Sequence, residues 1–300
     1  MGLNISFLSF VEVRFVAFVH FKLFYILGNT NYKISNTTVV NNVNKNKIYL
    51  KNYNSISEDV KFATNSVVRL KIMATLYNGP QNMKSLNEIT GLNYSSISSG
   101  MHDMELKDYV YRQNNKYHLA NSIKFQIKAI IEFDEMMNVL DDFFNILDHH
   151  LVEMLPYESV TELYLLGKAS LMESDDVDAF RIYKFIENSL FNANDVKCVL
   201  PFYYENFTKK LNGLIRKKKN VEVLVPKNLQ TTFELKSRVK KLSTFKGNHN
   251  FLLIVTNKIM ILGFFKEDGY FDKNRLLTSK NPDAIRWAND LFVNFKNENK

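Results

Sequence analysis

The sequence predicts a two-domain protein of mixed class, α+β in its first part and α/β in its second. Three observations predict it. Signals for helix, helix, turn, helix and hairpin follow one another over residues 58–120. Apolar residues then recur at spacings of four and three from Phe133 to Met154, and strand-like and helix-like segments alternate after Pro156. The expected divisions are an N-terminal extension (1–57), a first domain (58–120), a connector helix (121–155) and a second domain (156–300).

The extension opens with a Phe- and Val-rich run at 5–27 that is long enough to span a bilayer. Glu12, Arg14, His20 and Lys22 interrupt it, and each charge at bilayer depth costs about 2.5–3.5 kcal/mol. It lacks the basic start and the cleavage site of a signal peptide. A polar Asn/Thr/Lys stretch at 28–47 follows, with the composition of a disordered linker. Three readings compete: a membrane anchor, a strand or helix docked on the protein, and translated DNA upstream of a true start near 43–57. The third is preferred, with Val43, Ile48 or Leu50 as a non-ATG start, because no methionine lies between Met1 and Met73.

From Glu58 an apolar stripe through Val60, Ala63, Val67, Leu70, Ala74 and Tyr77 predicts a first helix, supported by Val68, Ile72 and Leu76. Asn78-Gly79-Pro80 stops it, with Gly79 as a left-handed cap. A short helix passes through Ser85–Ile89, Gly91 turns the chain, and Asn93 caps the next helix. That third helix places Ile97, Met101 and Met104 on one face, with Leu106 close enough to join them. Ser95, Ser98, Ser99 and His102 lie opposite. Two strand-like runs, Tyr109–Arg112 and Lys116–Leu119, meet at the polar triplet Gln113-Asn114-Asn115.

This order is that of a winged helix-turn-helix, whose third helix enters the major groove of double-stranded DNA. Tyr94, Ser95, Ser96, Ser98, Ser99 and His102 are therefore the expected groove-facing residues. Short hydroxyl side chains let a backbone approach phosphates and bond base edges. Arg112 and Lys116 on the hairpin would hold phosphates. Residues 58–120 carry seven bases and six acids, so one copy attracts DNA weakly and a dimer would help. A winged helix used only to dock on proteins is the competing reading.

The connector stripe of Phe133, Met137, Leu140, Phe144, Leu147, Leu151 and Met154 is an a/d seam of about three heptads. It either pairs two protomers or packs on its own second domain. Asp141, Asp142, Asp148, His149 and His150 invite a metal, but their spacing does not place ligands together, and no metal or cofactor is expected.

In the second domain Val196–Leu200, a helix over about 203–218, and Val221–Val225 form a strand–helix–strand unit, hence a parallel pair. Phe251–Thr256 and Ile259–Phe264 are joined by the turn signal Asn257-Lys258. Pro282 opens a last helix with Ala284, Ile285, Trp287, Leu291, Phe292 and Phe295 inward. No Gly-rich phosphate loop, GxSxG or HExxH occurs. The one H-x-K, His20-Phe21-Lys22, lacks the Asp that a phospholipase D signature needs, so no enzyme is expected.

Charge is uneven. Residues 130–195 hold fifteen acids and three bases, and residues 207–246 hold twelve bases and two acids. The run Arg216-Lys217-Lys218-Lys219 ends a helix, where cations complement the dipole; an acidic partner or a DNA backbone is the other reading. The formal net charge of +8 favours an anionic partner. Cys198 is the only cysteine, which suits a reducing cytoplasm. Abundant Asn, Lys, Ile, Phe and Tyr point to an AT-rich genome, so part of the lysine content reflects codon bias.

Residues 66–295 resemble the methanogenesis regulatory proteins of archaea. The resemblance rests on SVVRLKIMATLYNGP at 66–80, GLNYSSIS at 91–98, LGFFKEDGYFD at 262–272 and SKNPDAIRWANDLFVNFK at 279–296. It implies an arsenic-repressor-like winged helix joined to a C-terminal domain similar to degenerate phospholipase D-like sensor domains. It also implies an archaeal transcription factor, dimeric, whose effector the family does not name; a cytoplasmic regulator whose C-terminal domain binds a small-molecule or protein effector is the expectation drawn from the whole sequence. Residues 1–50 have no counterpart in the family. Ala288 stands where the family usually has Gly, and Gly100 costs the third helix about 1 kcal/mol relative to Ala.

Overall fold

The computed structural model describes residues 61–175, 177–191, 193–247 and 251–299. The apolar run at 5–27 and the polar stretch at 28–47 lie outside them. The chain divides into two compact units, one up to Glu132 and one from Phe133.

The first unit contains α1 (Val67–Tyr77), α2 (Met83–Thr90), α3 (Tyr94–Glu105) and the antiparallel strands β1 (Val110–Gln113) and β2 (Lys116–Leu119). Each helix begins on a side chain that accepts a bond from an otherwise orphaned backbone N–H. Ser66 serves Arg69, Asn82 serves Ser85, and Asn93 serves Ser96. The expected single helix from Glu58 is corrected here. The chain leaves helical geometry at Asn65-Ser66 because Ser66 takes the extended conformation of a cap. The inward face of α1 is Ile72, Met73 and Leu76, whereas Val67 is exposed.

Ile97, Met101 and Met104 are buried as their spacing requires, and they join Leu86, Val110, Leu119 and Ile127 in one core. Leu106 does not join them. It follows the last turn of α3, and it is 72% exposed. Gly100 is buried because α1 runs close by: a Cβ there would meet Ile72 Cδ1 and Val68 Cγ1, each at 3.2 Å. The glycine thus gives up helix propensity in exchange for a close approach of two helices. Gly91, at φ +67°, makes the left-handed turn between α2 and α3.

The helix α4 (Asn121–Asp142) is shorter than the expected connector. Adjacent carboxylates at Asp141 and Asp142 oppose the helix dipole at its C-terminal end. Phe143 then breaks the geometry before the single turn α5 (Phe144–Leu147). The buried stripe is Phe133, Met136, Val139, Phe143 and Ile146. It shares only Phe133 with the predicted seam, and Phe144 and Met154 are exposed.

After α6 (Tyr157–Thr161), the second unit is built on a seven-stranded mixed sheet in the order β3-β9-β8-β7-β4-β5-β6. The strands are β3 (Ser170–Glu173), β4 (Asp195–Val199), β5 (Asn220–Pro226), β6 (Lys241–Phe245), β7 (Leu252–Thr256), β8 (Met260–Gly263) and β9 (Arg275–Ser279). The expected parallel pair is β4–β5, and β6 extends it in parallel. On the other side, β4, β7, β8, β9 and β3 pair antiparallel.

Along β4 the side chains alternate. Val196 and Cys198 join the core that includes α7 (Arg181–Phe191) and α8 (Glu205–Arg216). Lys197 points to the opposite face, where its Nζ donates to Asn289 Oδ1 at 2.8 Å on α10 (Pro282–Glu298). The short helix α9 (Gln230–Lys236) lies between β5 and β6 in sequence. On α10, Trp287 is fully buried and donates Nε1–H to the Ser159 carbonyl at 2.8 Å.

His150 is not part of a cluster with its neighbours in sequence. Its Nε2 lies 2.9 Å from Asp272 Oδ2, with both side chains almost wholly buried. Asp272 Oδ1 accepts from the Asn274 amide at 2.9 Å, and Leu151 N–H donates to the Phe265 carbonyl. The segment after α5 is thereby pinned to the β8–β9 connection. Among the described residues no group of three or more His, Cys, Asp or Glu side chains could hold a metal ion. No helix of the described residues is long and apolar enough to cross a membrane.

Three outcomes follow from this packing. Gly100→Leu is expected to lower stability by about 1–3 kcal/mol through overpacking against Ile72, read as a drop in the denaturant midpoint; an unchanged midpoint would contradict the α1–α3 approach. His150→Ala and Asp272→Ala should each cost about 1–3 kcal/mol by stranding a buried polar partner, and the double variant less than their sum. Full additivity would show that the two side chains are uncoupled. Burial pushes the Cys198 thiol well up from its ordinary value, so a thiol reagent should label it only on unfolding. Rapid labelling of the folded chain would contradict that burial.

Candidate nucleic-acid interface

Two stripes run along the exposed side of α3, set by the i, i+4 spacing of a helix. Tyr94, Ser98 and His102 form one, all exposed. Ser95, Ser99 and Asp103 form the other, with the half-buried Ser96 beside it. The second stripe borders a shallow concavity of about 350 Å³, which Ser66, Arg69 and Gly100 also line. The residues expected to face the groove are therefore split between an open ridge and a hollow.

Asn93 organises the start of α3. Its Oδ1 accepts from the Ser96 amide and from the Ser95 hydroxyl, each at 2.8 Å. Ser95 thus spends its proton locally and keeps only acceptor capacity toward a ligand. Arg69 is the cation nearest this stripe, and it is already engaged. Its Nε donates to the Phe62 carbonyl at 2.9 Å, its Nη1 lies 3.6 Å from Asp103 Oδ2, and its guanidinium sits 4.4 Å from the Phe62 ring centroid. Sequence reading missed Arg69, because the pairing depends on α1 and α3 approaching at Gly100.

The hairpin turns at Asn114 and Asn115, with φ of +51° and +59°. Positive φ at both central residues is the turn that suits the twist of a two-residue hairpin, and asparagine tolerates it. The strand β1 includes Gln113, so the predicted three-residue turn tightens to two. Register pairs Val110 with Leu119, Tyr111 with His118, Arg112 with Tyr117, and Gln113 with Lys116.

Alternation therefore sends Arg112 and Lys116 to opposite faces of the hairpin. Both are exposed. Arg112 lies 5.7 Å from the Tyr117 ring centroid and donates to Asn115 Oδ1. On the Lys116 face, Tyr111 and His118 stack with centroids 5.1 Å apart. This aromatic pair was missed, although counting alternate residues outward from the apolar Val110 would have found it. Gln81, between α1 and α2, exchanges both backbone hydrogen bonds with Tyr117 and adds a third short edge to the hairpin.

Comparison with known proteins gives a consistent family. The N-terminal domain model of the methanogenesis regulatory protein FilR1 matches residues 57–141, and its middle domain model matches residues 179–298. The methanogenesis regulatory protein FilR1 of Methanothrix harundinacea is 21% identical over 251 residues, covering 78% of this chain. The chain spans about half the length of that relative, 55%. Among solved structures, TrmBL2, an archaeal chromatin protein, aligns over 78% of this chain and 94% of its own, at 8% identity and a TM-score of 0.35. CalO1, a methyltransferase in calicheamicin biosynthesis, covers 66% of each chain at 11% identity and a TM-score of 0.21. Both scores are too low to establish a shared fold. The two matching domain models and the curated relative agree: the chain belongs to the methanogenesis regulatory protein family.

Proposed function

We propose that the chain is an archaeal DNA-binding transcription regulator, not an enzyme. Residues 58–120 act as a winged helix-turn-helix that reads an operator in double-stranded DNA, and the unit from Phe133 senses a small molecule or a partner protein. The observation that carries this reading is the pairing of α3 with the hairpin. A helix capped by Asn93 offers a ridge of Tyr94, Ser98 and His102, while a tight asparagine turn presents Arg112 and Lys116 on its two faces. Such a helix fits a groove about 12 Å wide, and such a hairpin reaches phosphates beside it.

In this reading the protein is cytoplasmic and works as a homodimer. The outer stripe of Met137, Leu140, Phe144 and Leu147 is left half-buried or exposed while its neighbours are buried, which supports a second copy against it. The opposite reading, a docking module for another protein, draws on one observation. Asp103 lies on α3 and already engages Arg69, so the second stripe offers DNA no free cation of its own among these residues.

Fluorescence anisotropy of the full chain on duplex DNA from upstream of its own gene, against a scrambled duplex, separates the two. The regulator reading expects tighter binding to the native duplex that persists at physiological salt. Ser98→Asp should weaken it at least tenfold, by setting a carboxylate against the groove edge. Arg112→Ala should weaken native and scrambled duplexes alike, because phosphate contacts carry no sequence information. Equal affinity for both duplexes, or none for either, would move the assignment to the docking module.

A further inference from the structure

We propose that the second unit carries its own DNA-backbone contact at one end of its sheet, where the N-terminal ends of β4, β5 and β6 meet the β7–β8 turn. This rests on the DNA-binding reading above and adds a second surface to it. Three separate segments deliver cations to this end, and their hydrogen bonds show that they meet there.

The tail of α8 brings Arg216, Lys217, Lys218 and Lys219. Lys219 Nζ donates to Asn194 Oδ1 at 2.6 Å, just before β4. Lys241, which opens the edge strand β6, donates to Asn220 Oδ1 at 2.9 Å at the start of β5. Arg238 is held beside the last turns of α8, since its backbone N–H donates to Asn212 Oδ1 at 2.7 Å. On the far side the Asn194 amide bonds Asn257 Oδ1, which places the exposed Lys258 at the same end. With strands about 4.8 Å apart, the three steps from β7 to β6 spread these charges over roughly 14 Å, comparable with a DNA groove of about 12 Å.

One carboxylate, Asp195 at the start of β4, lies at this end, and it accepts from the Asn220 side chain rather than from a lysine or arginine. Lys240 directly precedes β6 at this end, and among the described residues none of Arg216, Lys218, Lys240 and Lys258 forms an ion pair, while all four are exposed. Elsewhere in the unit cations do find partners: Lys209 pairs with Glu205, Lys184 with Asp178, and Lys296 with Glu222. The local backbone makes the same point. The α8 helix ends in a Schellman motif, with Lys219 N–H bonded to the Leu214 carbonyl and Lys218 N–H to the Ile215 carbonyl. Lys218 holds the left-handed position at φ +60°, where glycine is the unstrained choice. A lysine kept at that backbone cost is what a surface selected for charge would show.

The occupant is the phosphate backbone of duplex DNA. Exposed cations carried on several segments match a broad, sequence-independent polyanion. The acidic block at 130–195 of a second copy is the rival occupant.

The test is a salt titration of the full chain on a scrambled duplex. The variant is Arg216→Gln/Lys218→Gln/Lys240→Gln/Lys258→Gln, with a matched thermal unfolding curve to show that it folds. If this end contacts DNA, the variant binds the scrambled duplex more weakly. Its slope of log affinity against log salt should also be shallower by about three to four, near 0.9 for each phosphate that is no longer neutralised. An unchanged slope, in a wild-type protein that does bind DNA, would overturn this surface while leaving the winged-helix reading intact. Loss of self-association with an unchanged DNA slope would give the surface to a second copy, and would overturn it as well. A wild-type chain that binds no duplex would overturn both readings. If instead the set folds poorly, the single variant Lys258→Gln, on an exposed turn, should still flatten the slope by about one, and no change there would count against the proposal.

Discussion

The second unit depends on a constraint at one strand. β4 is parallel to β5 on one side and antiparallel to β7 on the other, so it joins two sheet halves of opposite construction. It must satisfy two faces at once. Val196 and Cys198 fill the face toward α7 and α8, and a one-residue slip would send Lys197 into that core and leave its Asn289 partner behind. Register is therefore fixed at the centre of the sheet and passed outward strand by strand. The end at which β4, β5 and β6 begin is fixed with it, so the cations of the α8 tail, the β6 edge and the β7–β8 turn are brought together by pairing rather than by contact with one another. Long-range closure adds to this. His150 and Asp272 lie 122 residues apart in sequence and share a buried contact, so the first segment of the unit cannot leave the β8–β9 connection without stranding a buried polar group.

The first unit is organised by a different economy. Its helices are short, and each N-terminus is closed by a side chain chosen for that purpose. The cost of Gly100 in helix propensity is offset by the approach of α1, which in turn brings Arg69 to Asp103. Rigid placement of α3 and loss of a free cation from its flank thus have one cause. A helix built this way gains definition and gives up non-specific attraction for an anion. That matches the near-balance of bases and acids over residues 58–120.

Much of this was legible in the sequence, and the gaps have physical reasons. Periodicity and caps gave α2, α3, the hairpin, the β4–α8–β5 unit and α10, because each carries strong local signals. Ile97, Met101 and Met104 on α3 could be assigned inward from spacing alone. The break at Ser66 was missed because a serine cap inside an apolar stripe looks like one polar residue in a continuous helix. The connector seam was displaced by one residue because both stripes of α4 are apolar, and periodicity cannot tell which of two adjacent stripes has a partner. β3, β6 and β9 were missed because short strands with polar ends take their stability from neighbours and not from their own sequence. At the candidate interface the residues expected to face a groove are exposed, apart from the half-buried Ser96. Their division into a ridge and a hollow, and the opposite facing of Arg112 and Lys116, required helix phase and strand register.

Codon bias is the strongest objection to reading function from lysines in this chain, since an AT-rich genome raises lysine everywhere. Bias acts on codons without regard to structure, so it should scatter lysines over exposed positions and place many beside acids. The pairs of Lys209, Lys184 and Lys296 are of that kind. The end of the sheet is different in three respects. It collects cations from segments far apart in sequence, and two of them, Arg216 and Arg238, are arginines that such bias does not favour. Among the described residues its exposed cations Arg216, Lys218 and Lys258 form no ion pair, and the Asp195 carboxylate at the start of β4 accepts from Asn220 instead. It also sets Lys218 at a left-handed backbone position where glycine costs less. Mutation bias explains the number of lysines, but not their gathering at one end of a sheet; under the proposed DNA-binding reading, a first unit of near-balanced charge gains from such a second hold on a polyanion.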